Sequence, residues 1–459
     1  MTRASVSDRL PTGRRPPSAA LAAGGVALVV GVATLLAGSE VLPYLSANHD
    51  EGVYLQQAEL LLGGRLELAG GSLSEAVRPW FFVADGDRLY PKYTPYPAAL
   101  YAIAMATVGE ARLALAAVAA ANVALVYGLG ASAFDRRIGL VAAGAFALAP
   151  ISILTAVAFL PYAPTTTLVM LFAWAYLRAD RTGRHRTAAI AGAAIGLAFL
   201  ARPYTAVLVA IPFVIHAGWR VASSVRARRP LDGPVTRNAV TGSLGLVFVG
   251  LTLAYNARMT GDPLSFPYEA FAPRDGVGFG RRAILGHAID YTPEVAVRTA
   301  GWNLWYLLTR WGPVGALGTT LAGVGVLAAG RRVRRDGLDR RAITQGLLLG
   351  VAATTVVGNV AFWGNRNLLG TLGDPTDGLV SLFGPFYHLD VVWPLSIFAA
   401  AGLVAAVRWG FATAGVDPAT AWADPRRRRA IVGIALVSAI LLGVATAGLL
   451  AGPLERHSG

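Results

Sequence analysis

Long apolar runs separated by short polar breaks recur along this chain, and their lengths set the first expectation. Crossing about 30 Å of hydrocarbon takes roughly 20 helical residues. Runs near that length are read at 19–43, 95–109, 112–133, 138–149, 150–161, 164–178, 187–201, 203–219, 238–257, 304–330, 342–363, 388–407 and 430–451. Several are short and 138–161 reads equally as one span, so 11 to 13 transmembrane helices are expected. The predicted fold class is an all-α polytopic membrane protein with long outer loops. A basic tail over 1–18 precedes a transmembrane domain over 19–451 and a short outer tail over 452–459, with no separate soluble domain. The first run follows Arg3, Arg9, Arg14 and Arg15 as a signal peptide would, but it exceeds the usual apolar core of one and reads as an uncleaved anchor.

Composition agrees with this pattern. Of the 459 residues, 55% are of the AVILMFWYC set and only 14% are charged, too few to clothe a soluble fold of this length. Mean hydropathy is +0.53. The absence of cysteine excludes disulfides, thiolate metal sites and a cysteine nucleophile.

The formal charge is +14, and of 40 basic residues only Lys92 is a lysine. A basic excess fits nucleic acid, anionic lipid, or loops sorted across a bilayer. The arginines decide. They gather in the N-terminal tail, at Arg178 to Arg186, Arg220 to Arg237, Arg331 to Arg341 and Arg408 to Arg429, all short hinges between apolar runs. Thirteen spans put every one of these hinges inside, with 25 basic and 8 acidic residues there against 15 basic and 18 acidic outside, a net +17 facing −3. Keeping this parity requires 138–161 to be two spans, and it leaves Arg136 and Arg137 outside as a local dissent. The clusters Arg331 to Arg335 and Arg426 to Arg429 are topology signals near anionic headgroups, and no nucleic-acid partner is expected.

Three long outer loops result, 44–94, 258–303 and 364–387, so the working site is expected on the outer side. The first opens with Asn48-His49-Asp50-Glu51-Gly52-Val53-Tyr54. Adjacent acids at a membrane surface need a cation, a metal or a catalytic task, although Asp50 also reads as a helix cap for Val53 to Leu62. The same loop ends Tyr90-Pro91-Lys92-Tyr93-Thr94-Pro95, which sets Lys92 at the depth of a lipid phosphate, either in a point-charge role or as a snorkelling lysine. Arg202 is the outward tip of the hairpin 187–219, facing headgroups or binding an anion beside Lys92.

In the second loop Gly276, Gly278 and Gly280 resemble a phosphate-binding run, yet no strand precedes them, so a nucleotide site is not expected. Arg274, Arg281, Arg282 and His287 are instead candidates to neutralise an anionic lipid or sugar phosphate. The third loop ends Gly384-Pro385-Phe386-Tyr387-His388-Leu389-Asp390, where His388 reads as an interfacial hydrogen-bonded histidine or as a site residue. No metal motif, Walker loop or serine elbow is present, and no cofactor is predicted.

Taken in order, these pieces resemble the GT-C superfamily of integral-membrane glycosyltransferases, in the branch near protein O-mannosyltransferases and lipid A aminoarabinose transferases. The resemblance rests on Asp50-Glu51 with Tyr54, Lys92 with Pro95 to Pro97, Gly196 to Pro203, Asn256 to Pro263 and Gly384 to Tyr387. It implies a sugar donor linked to a polyprenyl phosphate, used on the outer face of the cell membrane with inversion, and a protein, lipid or glycan acceptor. Under it Asp50 is the general base and Glu51 orients the acceptor. Lys92 holds the donor phosphate, with Arg202, Arg274, Arg281 and Arg282 as further phosphate contacts, while His49, Tyr54, Tyr93, Tyr387 and His388 contact substrate. Two departures stand out. Relatives often carry an arginine where this chain has Phe386, and the turn Leu160 to Pro164 lacks the acidic residue of some branches, which weakens a metal-dependent reading. The alternative from a different class is a polytopic transporter or lipid-linked sugar flippase, which would gather its charges near the midplane.

Overall fold

A computed structural model of the chain describes residues 18–71, 76, 78–228, 233–372, 377–413, 415, 443–444 and 446–456. The tail bearing Arg3, Arg9, Arg14 and Arg15, the cluster Arg426 to Arg429 and most of the span expected at 430–451 lie outside the described residues. The chain begins with α1 (Ser18–Glu40) and α2 (Asp50–Leu62), followed by a small antiparallel sheet of β1 (Leu68–Ala69), β2 (Phe82–Asp85) and β3 (Arg88–Pro91) in the order β1-β3-β2. Next come α3 (Tyr96–Val108), α4 (Arg112–Ala133), α5 (Arg136–Ala147), α6 (Pro150–Val157), α7 (Tyr162–Thr182), α8 (His185–Ala201), α9 (Pro203–Arg226) and α10 (Gly233–Thr260). A loop then carries α11 (Pro267–Phe271) and the hairpin β4 (Gly280–Ile284) and β5 (His287–Tyr291). The last elements are α12 (Pro293–Tyr306) with a π turn over Leu307–Trp311, α13 (Gly315–Asp336), α14 (Arg340–Val360), the short α15 (Gly364–Asn367) and α16 (Val380–Phe383), and α17 (Leu389–Thr413). The predominantly helical, polytopic architecture is the one the apolar pattern predicts.

Local chemistry sets the ends. The Asp135 carboxylate accepts from the backbone N–H groups of Arg137 and Ile138 at 2.8 and 3.0 Å, and Asp339 accepts from Ala342 N at 2.8 Å, so both cap helices that start at arginine hinges. Helix crossings in lipid rely on close backbone approach, because the tails are as apolar as the side chains. Gly192 and Gly196 of α8 face the backbone of α10 at Thr241 and Gly245, and Gly325 and Gly402 bring α13 against α17, with no room for a Cβ at any of the four.

Among the described residues six helices are long and apolar enough to cross a membrane alone, or eight if each of two bent pairs counts as one span. Adding α7, the 17-residue α8 and the expected span 430–451, which lies largely outside the described residues, gives eleven crossings, the lower bound of the expected 11 to 13, with three local corrections to the expected spans. The run 95–109 is not a crossing. Its helix α3 has 13 residues, about 20 Å at 1.5 Å each, and both of its ends sit at the same end of the bundle. Thr94 before it donates to Ala201 O at the close of α8 (3.3 Å), while Arg112 after it donates from Nε to Gly38 O near the close of α1 (3.0 Å). Its apolarity serves packing, since Ala98 and Tyr101 lie in one cluster with Tyr54, Ala58, Leu115 and Phe159.

The second correction compensates the first. Segment 138–161 is a single broken crossing, α5 and α6, bent by 64° where Pro150 interrupts the ladder. Removing α3 and merging this pair restores the same sidedness for every basic hinge. Arg136 and Arg137 now join them: Gln345 donates to Ala133 O at 2.9 Å, tying the end of α4 to the start of α14 beside Arg340 and Arg341. Their dissent disappears.

The third correction concerns 304–330. Helix α12 stays at the opposite end of the bundle from the basic hinges along its whole length, with Arg298 donating to Leu372 O (3.3 Å), Asn303 to Asn365 O (3.1 Å), and Trp311 against Gly384. The chain then turns by 99° at Gly312-Pro313 and crosses as α13.

Candidate active site

Asp50 opens α2, but it does not cap that helix. The N-cap residue is His49, Asn48 Oδ1 accepts from Asp50 N at 3.0 Å just ahead of the helix, and the Asp50 carboxylate takes no part in capping. That carboxylate meets Lys92, whose Nζ lies 3.3 Å from Oδ1. Lys92 is delivered by the β2–β3 hairpin, in which Phe82 faces Pro91 and Asp85 faces Arg88 across a turn through Gly86 at φ 56°. Just beyond the register, Lys92 N donates to Phe81 O at 3.2 Å. Phe81 sits at φ 63°, a strained value for a non-glycine residue, and its ring centroid is 3.5 Å from the ammonium. Tyr93, Phe271 and Tyr268 complete an aromatic box at 4.7, 5.0 and 5.3 Å. The Lys92 side chain is 3% exposed against 21% for Asp50. Burial holds the lysine below its usual pKa, with the Asp50 charge opposing that shift.

These groups stand on the wall of a cavity of about 870 Å³ at the end of the bundle opposite the basic hinges. Asp50, Lys92 and Arg202 all line it, as do His49, Tyr54, Tyr93, Tyr387 and His287. Arg202 occupies the α8–α9 junction, as expected for a hairpin tip, with its guanidinium 4.5 Å above the Tyr162 ring and 5.4 Å from that of Tyr387. Tyr54 stacks on Tyr93 at 4.6 Å, and burial raises the pKa of both phenols well above the usual range.

Five expected site residues do not line the cavity. Glu51 is 1% exposed, and both its oxygens are committed: one accepts from Ser46 N at 2.8 Å and from the Ser46 hydroxyl, the other from Phe159 N at 2.8 Å. It is a pin joining the α1–α2 loop to the α6–α7 turn, turned away from any acceptor, and burial raises its pKa. Arg282 spends its guanidinium on Val277 O (2.8 Å), Phe279 O (3.1 Å) and Gly278 O (3.2 Å). The glycine run is therefore the foot of a β-hairpin. Arg281 pairs in register with Asp290 on the exposed β4–β5 hairpin, and Arg274 is likewise exposed beside that hairpin. His388 is fully buried in the turn before α17.

Two lining residues were not foreseen. The Asp275 carboxylate accepts from the Tyr268 hydroxyl and from Trp363 Nε1, and burial raises its pKa while Lys92 and Arg282 oppose the shift. Arg366, on α15, donates from Nη1 to Gly370 O (2.8 Å) and Leu369 O (3.2 Å), while its buried Nε has no partner among the described residues. The sequence signal for Arg366 was its standing as the only charged residue from 342 to 373; for Asp275 it was an acid lodged among arginines chosen for their own charge. Among the described residues no group of three or more His, Asp or Glu is placed to hold a metal ion.

The helical bundle thus carries α2, a lysine-bearing hairpin and a carboxylate–lysine pair at the wall of a loop-roofed cavity. Comparison with known proteins shows what this fold is similar to. Residues 95–261 match the family described as dolichyl-phosphate-mannose-protein mannosyltransferase. The fold is similar to the oligosaccharyltransferase of Archaeoglobus fulgidus in the apo form, with a TM-score of 0.56 and 15% identity over 96% of this chain and 56% of that one. It is also similar to ArnT from Cupriavidus metallidurans bound to undecaprenyl phosphate, with a TM-score of 0.51 and 14% identity over 96% of this chain and 77% of that one. This chain thus spans little more than half the length of the archaeal enzyme. No sequence among curated proteins matches it. The chain has the GT-C fold that its sequence resembles.

Proposed function

We propose that the protein is a glycosyltransferase of the GT-C class that transfers a sugar from a polyprenyl-phosphate-linked donor to an acceptor hydroxyl of a protein, lipid or glycan. The observation that carries this reading is the Asp50–Lys92 pair at 3.3 Å on the wall of a large cavity that also presents Arg202 and Arg366. A base and a set of cations then flank one reaction space. The acceptor hydroxyl gives its proton to Asp50 as its oxygen attacks the anomeric carbon, and the bond from that carbon to the phosphate oxygen breaks. Polyprenyl phosphate departs with its charge met by Lys92, with Arg202 and Arg366 as further contacts. A single displacement of this kind inverts the anomeric centre.

Before the donor arrives, the ammonium is bound to the base. A phosphate entering the cavity competes for Lys92 and leaves the Asp50 carboxylate to accept a proton. The aromatic box keeps Lys92 in place while its partner changes. Undecaprenyl phosphate in the ArnT structure supports the donor class. The basic hinges support a cytoplasmic position for the opposite end of the bundle and an outer position for the cavity at the cell membrane. The transporter reading draws no such support, because the cavity charges stand on loops and helix ends.

The reading is tested by purified protein in vesicles holding polyprenyl-phosphate-linked sugars and a hydroxyl acceptor. Release of free polyprenyl phosphate with a glycosylated acceptor is expected. Movement of the lipid-linked sugar across the bilayer without its cleavage would replace the transferase with the flippase.

A further inference from the structure

Apart from the cavity, a recess of about 220 Å³ lies between the π turn after α12 and the helical segment 446–456. Among the described residues two guanidiniums line it, Arg310 and Arg456, and no carboxylate does. Arg310 is exposed, lies 5.6 Å from the Tyr306 ring, and forms no ion pair or hydrogen bond among the described residues. Arg456 donates from Nη2 to Ser381 O at 3.1 Å, from Nη1 to the Ser381 hydroxyl at 3.5 Å and from Nε to Gly452 O at 3.2 Å, which sets it at the level of the loop roofing the cavity and leaves its remaining N–H groups for a ligand. Apolar side chains continue the recess toward the bilayer interior. Leu449 is seven residues before Arg456, about 10 Å along a helix, and Pro150 stands at the 64° bend between α5 and α6. The recess is cationic at headgroup level and apolar below it.

We propose that this recess binds the phosphodiester headgroup of an anionic phospholipid, with Arg310 and Arg456 as the phosphate ligands and an acyl chain along Leu449 and Pro150. Guanidinium forks match phosphate oxygens in geometry and charge, and basic recesses between membrane helices favour anionic headgroups. The π turn is what makes this position available, since the wider turn at Leu307–Trp311 presents Arg310 at a break in the helix. Occupancy also bears on the active site. Trp311, which lines the recess, packs on Gly384, two residues before Phe386 and Tyr387 of the cavity wall, while Arg456 holds Ser381 of the same loop. A bound lipid joins the helical segment 446–456, α12 and the loop before α17 at one point.

The test reads binding and stability, so its outcome is independent of whether sugar transfer is found. The full chain is placed in nanodiscs of phosphatidylcholine alone or with added phosphatidylglycerol, and thermal unfolding and lipid adducts in native mass spectra are followed. Phosphatidylglycerol is expected to raise the unfolding midpoint and to leave a retained adduct. Arg310→Gln with Arg456→Gln removes most of that increment, whereas Arg331→Gln with Arg332→Gln at the opposite face leaves it. Arg310→Gln alone disrupts no hydrogen bond among the described residues and lowers the increment in a chain that still folds, and Arg310→Lys restores part of it. An undiminished phosphatidylglycerol effect in both Arg310→Gln and the double variant would overturn the site. Inorganic phosphate reproducing the full shift in phosphatidylcholine discs would overturn the lipid as its ligand.

Discussion

The Lys92 ammonium stands 3.3 Å from the Asp50 carboxylate and 3.5 Å from the centre of the Phe81 ring. One cation thereby ties the first turn of α2 to the hairpin that precedes α3. Its burial has a consequence for pH. A lysine whose pKa is lowered loses its proton at a lower pH than an exposed lysine would, so the donor-phosphate charge fades early on the alkaline side. Transfer rates measured against pH are expected to show an alkaline limb below the usual lysine range. In Lys92→Arg, which stays charged, that limb moves to higher pH even where the maximal rate is reduced. An unchanged limb would assign it to another group.

Glu51 separates structure from chemistry. Its carboxylate accepts from the backbone of Ser46 and Phe159, and each buried donor left without a partner costs about 1–3 kcal/mol. Glu51→Ala is expected to lower the thermal unfolding midpoint and the yield of folded protein. The fraction that folds keeps most of its turnover. A stable Glu51→Ala protein with abolished turnover would return Glu51 to a direct role.

Arg366 and Arg202 line the same cavity as Asp50. Arg366→Gln and Arg202→Gln are each expected to lower kcat/KM by about 10-fold to 100-fold through weakened contacts to the donor phosphate, with the dependence on acceptor concentration nearly unchanged. Kinetics run against donor and acceptor in turn distinguish this from a general loss of packing.

The absence of cysteine makes topology directly measurable. Single substitutions His49→Cys, Glu110→Cys and Arg136→Cys are expected to react with an impermeant thiol reagent from the outer side at 49 and 110 and from the inner side at 136. The thirteen-span reading predicts the reverse for 110 and 136.

These positions also show where sequence legibility ends. Periodicity revealed a polytopic bundle, because lipid imposes an apolar pattern on the chain locally. It misjudged 95–109, since a helix buried among α2, α4 and the α6–α7 turn is as apolar as one facing lipid. Only the contacts of Thr94 and Arg112 reveal that it returns to the same face. Splitting 138–161 into two spans masked the error by preserving parity. At the site, Lys92 stood out by composition and Asp50 by its acidic neighbour. Glu51 looked equivalent to Asp50 in sequence, and only the direction of its side chain tells the two apart. Asp275 and Arg366 depend on how the second and third loops fold together, through Val277 paired with Phe362 and Trp363 bonded to Asp275.

The most direct measurement of the central claim is sugar transfer by Asp50→Asn beside the unmodified protein, both inserted at equal levels in vesicles with the lipid-linked donor. Asparagine keeps the size of the side chain but removes the base. The account predicts a rate lowered by about 10²-fold to 10⁴-fold with donor binding retained. Transfer at the unmodified rate would contradict it.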